Sequence, residues 1–129
     1  MSRVKFSSAH GSTLVEYALL VLLVIIPLLF GIIEFSILFS AQSTIANAAR
    51  EGARYGITDP GNAPAIEARV REKAVSLDGA RLEVASSLQG AFVRVDVAYN
   101  AHLVTGAIIE MFGGSSTIRL HSSSMMQIE

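Results

Sequence analysis

The sequence of 129 residues contains no cysteine, and only 16% of its residues are charged. Without cysteine it has no disulfide framework, no zinc-finger pattern and no thiol nucleophile. The net charge of −1 gives no basic field of the kind that attracts nucleic acid, so we expect no nucleic-acid partner. Apolar residues nevertheless make up 51% of the chain, which is too many for a disordered protein and unusual, with so few charges, for a soluble domain.

Patterns typical of catalysis and metal binding are also missing from the sequence. The three histidines, His10, His102 and His121, do not lie at metal-ligand spacing from one another. The sequence has no Gly-rich phosphate loop and no nucleophile elbow. We therefore expect a protein that is not an enzyme and that has no cofactor and no metal site.

The apolar residues are concentrated near the N-terminus. A charge-free run of seventeen residues extends from Tyr17 to Ile33, between Glu16 and Glu34. Thirteen of these residues are Leu, Ile, Val or Phe, and each favours membrane insertion by about 0.3–0.6 kcal/mol. One glutamate costs about 2.5–3.5 kcal/mol in the bilayer, so the run should insert even if it includes Glu34. The sequence predicts a transmembrane segment at about residues 17–39 and a lipid bilayer as a partner.

The basic residues around this run predict its orientation. Arg3 and Lys5 precede it, and the next cation is Arg50. By the positive-inside rule, the N-terminus lies in the cytoplasm and residues from about 45 onward lie outside the cytoplasmic (inner) membrane. Pro27 lacks an N–H group and is expected to kink the helix without ending the span.

The segment before the apolar run has the features of a processing site. A short basic leader ends in Gly11, and Glu16 stands five residues later. This arrangement resembles the type IV prepilin cleavage motif, with a leader of residues 1–11 and Ser12 as the first mature residue, and Glu16 with Tyr17 resembles the Glu-Tyr pair of Flp-type prepilins. Glycine gives a peptidase close access to the backbone. Glu16 could pair with the new amine of a neighbouring subunit and so favour one axial register.

A row of small residues follows the membrane segment. Ala48, Gly52 and Gly56 repeat every four residues on one side of a predicted helix, a pattern that allows another helix to approach closely. We interpret them as an assembly or helix-packing surface. The helix should run from residue 12 to about 57, because residues 58–62 form a cluster of turn-favouring residues.

Three segments together resemble the TadE-like family of pilin-like proteins from tight-adherence (Flp pilus) systems. They are Val15–Leu19 (VEYAL), Leu29–Phe35 (LFGIIEF) and Asn47–Tyr55 (NAAREGARY). The resemblance implies a minor pilin or pseudopilin that a prepilin peptidase cleaves. It also implies other pilin subunits and an inner-membrane assembly platform as partners, and a role for Glu16 in processing or assembly.

The remaining residues, 58–129, predict a small α+β head outside the cytoplasm. A helix should begin near Ala63 and end at Asp78-Gly79, and a hairpin of strands 81–88 and 91–99 should follow it. A final strand carries Ile118 and Ile128, which completes a three-stranded antiparallel sheet packed on that helix. Residues 101–112 are either a loop with a helical turn or a short apolar helix. Their apolar side chains, which are Leu103, Val104, Ile108, Ile109, Met111 and Phe112, either cap the head's own core or contact another subunit.

Several alternatives stay open at this point. Glu34 is either the partner of a basic residue in another subunit or a carboxylate at the outer membrane interface. The chain could be an uncleaved single-pass anchor with a protein-binding head, or a secreted domain released by cleavage after Ala48. The mature N-terminus would distinguish these hypotheses, since it would be Ser12 for the pilin, near Met1 for the anchor and near Ala49 for the secreted domain.

Overall fold

The computed structural model describes residues 8–128 of the chain, with side chains from Gly11 onward. The chain divides at the Ile33–Glu34 bond into two compact units. The helices and strands are α1 (Ser8–Thr58), α2 (Ala63–Lys73), β1 (Leu82–Gln89), β2 (Phe92–His102), α3 (Gly106–Met111) and β3 (Thr117–Gln127).

Helix α1 has 51 residues and continues through Pro27. The described part of the helix starts at Ser8, four residues before Ser12, where the sequence predicted its start. The helix ends where the turn cluster begins, and the Asp59 N–H donates a hydrogen bond to the Tyr55 carbonyl at 3.3 Å. The predicted stop near residue 57 is confirmed within one residue.

Helix α2 begins with a side-chain cap. The Asn62 Oδ1 accepts a hydrogen bond from the Ala65 N–H at 3.2 Å, and a proline lies in the first turn. The helix ends at Lys73, whereas the sequence predicted an end at Asp78-Gly79. Leu77 therefore reaches the core from the turn that follows α2.

The three strands form an antiparallel sheet in the order β1-β2-β3. The middle strand, β2, extends to His102 and so is longer than the predicted strand 91–99, because its last residues pair with the start of β3, with His102 opposite Thr117. Two helices followed by this sheet confirm the predicted α+β fold with a long N-terminal helix and a small head.

The core of the head lies between β2 and the two helices. Alternate residues of β2 are buried, while Arg94 and Asp96 between them form an ion pair at 3.0 Å on the other face. The second half of α1 supplies a large part of this core, although the sequence placed α1 before the head. The fully or almost fully buried side chains are Ile45, Ala48, Ala49 and Ala53 of α1, Ile66 and Val70 of α2, and Val93, Val95 and Val97 of β2.

Residues 103–112 divide between buried and exposed positions. Leu103 is buried, and Ile109 is half-buried where it lies close to Gly114. The other four apolar side chains are exposed, so the hypothesis that the whole segment caps the head's own core is wrong for them. They are Val104, Ile108, Met111 and Phe112.

Candidate functional site

The predicted processing residues lie in the first turns of α1. Gly11, Ser12, Glu16 and Tyr17 are all exposed. A Cβ atom added at Gly11 would meet nothing within 4 Å among the described residues, so their packing does not require glycine there. Because α1 begins at Ser8, the peptide bond between Gly11 and Ser12 lies inside the helix. A glycine lowers helix stability by about 1 kcal/mol relative to alanine, which makes local unwinding at this bond easier.

The apolar run that follows is exposed along its whole length. All seventeen residues from Tyr17 to Ile33 are exposed except Val21, which is half-buried. Helix α1 is long and apolar enough to cross a membrane, and none of its most apolar window is buried within the chain. A helix that is apolar on every side and has no protein cover is typical of a membrane span. The structure is therefore consistent with a single-pass membrane protein.

Glu34 has a partner inside its own chain. Its two carboxylate oxygens accept hydrogen bonds from the Val104 N–H at 2.9 and 3.1 Å. The carboxylate is half-buried, and it is joined to a residue seventy positions away in the sequence. This contact fixes the segment after β2 against α1 at the point where the charge-free run ends. Sequence patterns could not predict this contact, because the donor is a backbone N–H group and not a particular side chain.

The row of small residues packs against the head of the same chain. A Cβ atom added at Gly52 would overlap Val70 Cγ2 and would lie 3.3 Å from Val95 Cγ1. A Cβ atom at Gly56 would lie 2.7 Å from Val93 Cγ1, and Ala48 is fully buried. The close helix approach that this spacing predicts is thus made between α1 and α2, with β2 against the same face. These three residues contact the head's own core.

One ion-pair network joins α1 to α2. The guanidinium of Arg69 lies 2.9 Å from a carboxylate oxygen of Glu72 and 3.4 Å from one of Glu51. The hydrogen bond and the charge of Glu72, with a smaller contribution from Glu51, raise the pKa of Arg69 above its usual value. Glu51 therefore pairs with Arg69, and in the described chain it forms no ion pair with Arg50 or Arg54 of α1.

A cluster of cations lies next to this network, and we call Arg50, Arg54 and Lys73 the basic patch. All three side chains are exposed and line one shallow groove with Glu51 and Met126. Among the residues that the structure describes, none of the three forms an ion pair. The spacing of Arg50 and Arg54 places them one helical turn apart, which the sequence could indicate. The nearness of Lys73 depends on how α2 packs, so sequence reasoning missed the patch.

Within the described part of the chain, no group of three or more His, Asp or Glu side chains could hold a metal ion. Asp96 lies close to two basic side chains, with Arg94 at 3.0 Å and the His121 imidazole at 3.7 Å. These contacts lie on the face of the sheet that points away from the helices and form a surface cluster, not a cleft.

A comparison with family models gives a match at residues 11–54, to the model of TadE-like proteins. The matched segment contains the proposed processing site, the apolar run and the first two residues of the small-residue row, so the resemblance seen in the sequence is confirmed for this part of the chain. The match to TadE-like proteins suggests a protein that is associated with the Tad pilus. Neither the curated proteins nor the solved structures gave a match.

Proposed function

We propose that this chain, whose residues 11–54 have the sequence of a TadE-like segment, is a minor pilin or pseudopilin of a tight-adherence (Flp-type) pilus or secretion apparatus. It acts as a non-enzymatic subunit that inserts into the cytoplasmic membrane, loses its leader and is then drawn into an assembly. The observation that carries the proposal is the family match over a helix whose large apolar side chains are exposed in the described part of the chain.

The proposed processing step is cleavage between Gly11 and Ser12 by a prepilin peptidase. Three observations support it: the exposure of both residues, the absence of any packing reason for glycine at position 11, and a carboxylate at Glu16. Loss of the leader with Arg3 and Lys5 changes the net charge from −1 to −3. The new amine at Ser12 would begin α1 one helical turn before Glu16, where it and the Glu16 of a neighbouring subunit have opposite charges.

Two surfaces are candidates for contacts with other pilin subunits and with the inner-membrane assembly platform. The first is the apolar run, which would exchange lipid for neighbouring helices as the subunit leaves the membrane. The second is the basic patch, whose three cations are unpaired in the described chain and suit an acidic surface of a partner. The small-residue row is less suited to this role, because Ala48, Gly52 and Gly56 are already buried in the head.

The alternative of an uncleaved single-pass anchor with an external protein-binding head shares the same membrane span and orientation. It differs only in the N-terminus. The secreted-domain alternative fits the structure less well, since cleavage after Ala48 would cut α1 inside the core and separate Ile45 from it.

The test is the mature N-terminus of the protein isolated from its host, measured by intact mass and N-terminal sequencing. We expect the chain to begin at Ser12. Gly11→Val should leave the leader attached, because a branched side chain obstructs access to the scissile bond. Gly31→Val is the matched control, since an added Cβ at Gly31 also meets nothing within 4 Å, and it should be processed normally.

A wild-type chain that still begins at Met1 would contradict the proposed cleavage and favour the anchor. Comparison of sheared surface fibres with membranes would then show where the processed protein resides. Detection only in membranes would favour a pseudopilin that primes or supports assembly over a subunit of the fibre.

A further inference from the structure

We propose that the segment Val104–Phe112, which consists of α3 and its flanking residues and is here called the apolar loop, lies in the outer interface of the phospholipid bilayer beside α1. The inference rests on the membrane span in the proposed function, but not on leader cleavage or on pilus assembly. It assigns a lipid-binding surface to a part of the head that the family match at residues 11–54 does not include.

The first argument is the exposure of the loop. Its side chains at Met111 and Phe112 are 81% and 85% exposed, and those of Val104 and Ile108 are 59% and 54% exposed. Four large apolar side chains within nine residues form a patch that is costly to leave in water. The head does not need them for its own core, which Leu103 closes at this end.

The second argument is position. The two hydrogen bonds from the Val104 N–H to Glu34 fix the start of the loop at the residue that directly follows the charge-free run. Two exposed phenylalanines, Phe35 and Phe39, stack on each other in the next turn of α1, with ring centroids 6.2 Å apart. Exposed apolar groups from two separate parts of the chain thus occur at the same end of the head.

The third argument is length. Seventeen helical residues from Tyr17 to Ile33 rise about 26 Å at about 1.5 Å per residue. The hydrocarbon core of a bilayer is about 30 Å thick, so the span takes in roughly three further residues. The hydrogen-bonded pair of Glu34 and Val104 therefore falls within about 5 Å of the boundary between hydrocarbon and headgroups. A bilayer covers the loop at this depth without any additional protein partner.

The charge of the loop specifies the kind of lipid. Glu110 is its only charged residue, and the nearby carboxylate of Glu34 is also acidic. The loop offers no cation for an anionic headgroup, and the charge of Glu110 is opposite to that of the ammonium group of a zwitterionic one. We therefore assign phosphatidylcholine-like or phosphatidylethanolamine-like lipid as the occupant, held by apolar insertion and not by anionic headgroups.

The test uses the full chain in phosphatidylcholine vesicles. The sequence has no tryptophan, so each single substitution introduces one fluorescent reporter. Phe112→Trp reports on the loop, and Phe92→Trp is the matched control at the other end of β2, a strand about 33 Å long at about 3.3 Å per residue. Ile25→Trp, at the middle of the run, reports on insertion of the span. Bromine on the lipid acyl chains, placed either near the headgroup or near the bilayer centre, quenches emission by contact.

We expect Phe112→Trp to have blue-shifted emission and to be quenched most by bromine near the headgroup. Ile25→Trp should be quenched most by bromine near the bilayer centre, and Phe92→Trp should be quenched by neither. If Ile25→Trp is quenched but Phe112→Trp behaves like Phe92→Trp, the loop is in water and the inference is wrong, while the membrane part of the proposed function stands.

Two other outcomes also overturn the inference. Emission of Phe112→Trp that is blue-shifted without bromine quenching, and that depends on the ratio of protein to lipid, would show that a second copy of the chain covers the loop. Unquenched Ile25→Trp would show that α1 does not span the bilayer, and it would remove the membrane part of the proposed function together with the lipid site.

Discussion

The half of α1 before Glu34 and the half after it differ in side-chain size and in surroundings. Before Glu34 the helix is made of Leu, Ile, Val and Phe, and almost all of them are exposed. After Ser40 the core-facing positions hold small residues such as Ala41, Ala48 and Gly52 together with the larger Ile45, and they are buried.

This difference shows that apolar content alone does not indicate what covers a helix. Large aliphatic side chains on every side need a surrounding apolar solvent, since no neighbouring element of the chain covers them. Small residues on one side bring the backbone of another element close, so dispersion contacts are made over a short distance. The first half of α1 is suited to lipid or to the helices of other subunits, and the second half is suited to its own head.

The largest difference between the two halves should appear on truncation of an isoleucine. Ile45 has no exposed surface, and Ile45→Ala should lower the free energy of unfolding of the head by about 2–5 kcal/mol because it leaves a cavity. Ile32→Ala removes the same atoms from an exposed position in the first half and should leave the stability of the head unchanged. Denaturant unfolding of both full-length variants in detergent micelles, followed by amide hydrogen exchange in β2, measures the contrast. Equal losses in the two variants would show that the first half also supports the fold of the head.

Two glycine-to-alanine substitutions in α1 should change stability by smaller amounts and in opposite directions. Gly52→Ala places a Cβ atom in overlap with Val70 Cγ2, and the resulting overpacking should cost about 1–3 kcal/mol. Gly31→Ala meets open space and should only raise helix propensity, by up to about 1 kcal/mol. The same unfolding measurement applies, with helix content by circular dichroism as the second readout. A neutral Gly52→Ala would mean that α2 and β2 can move away from α1 at little cost.

The smallest effect is local and lies where the two halves meet. Glu34→Leu removes the acceptor for the Val104 N–H, and exchange of that amide should become faster by an amount equivalent to about 0.5–1.5 kcal/mol. Glu34→Gln keeps an acceptor oxygen in nearly the same place, and it should restore most of the protection. If both variants leave Val104 exchange unchanged, the carboxylate does not hold the loop in solution. Overall unfolding of the head should change little in either variant.

The sequence predicted those features that are encoded locally. The predicted strand 91–99 is the middle strand, and the alternation of Val93, Val95 and Val97 with Arg94 and Asp96 encodes its buried face. The start of α2 predicted near Ala63 is confirmed, and the TadE-like match lies on segments that the sequence alone had identified.

What the sequence did not predict depends on partners that are distant in the chain. The spacing of Gly52 and Gly56 indicates the face of α1 that is approached closely, but it cannot tell a helix of the same chain from a helix of another subunit. The donor to Glu34 is a backbone N–H, and any residue except proline has one. The basic patch likewise depends on where α2 places Lys73 beside Arg50. Helical periodicity predicts which face of a helix is packed, but it does not identify the element that packs against that face.

The order β1-β2-β3 of the sheet has a consequence for how the head folds. Each strand pairs with the one that follows it along the chain, so the sheet closes only the connections 90–91 and 103–116, and the entropy lost in loop closure grows slowly with loop length. The contacts of the sheet with α1 close much longer loops, as between Gln42 and the carbonyl of His121 at 3.2 Å. The β1-β2-β3 sheet can therefore form before it docks on α1. Because α1 is synthesised first, its helical surface is already present when the sheet packs against it. Folding of the head should be rapid for its β content and limited by that docking step.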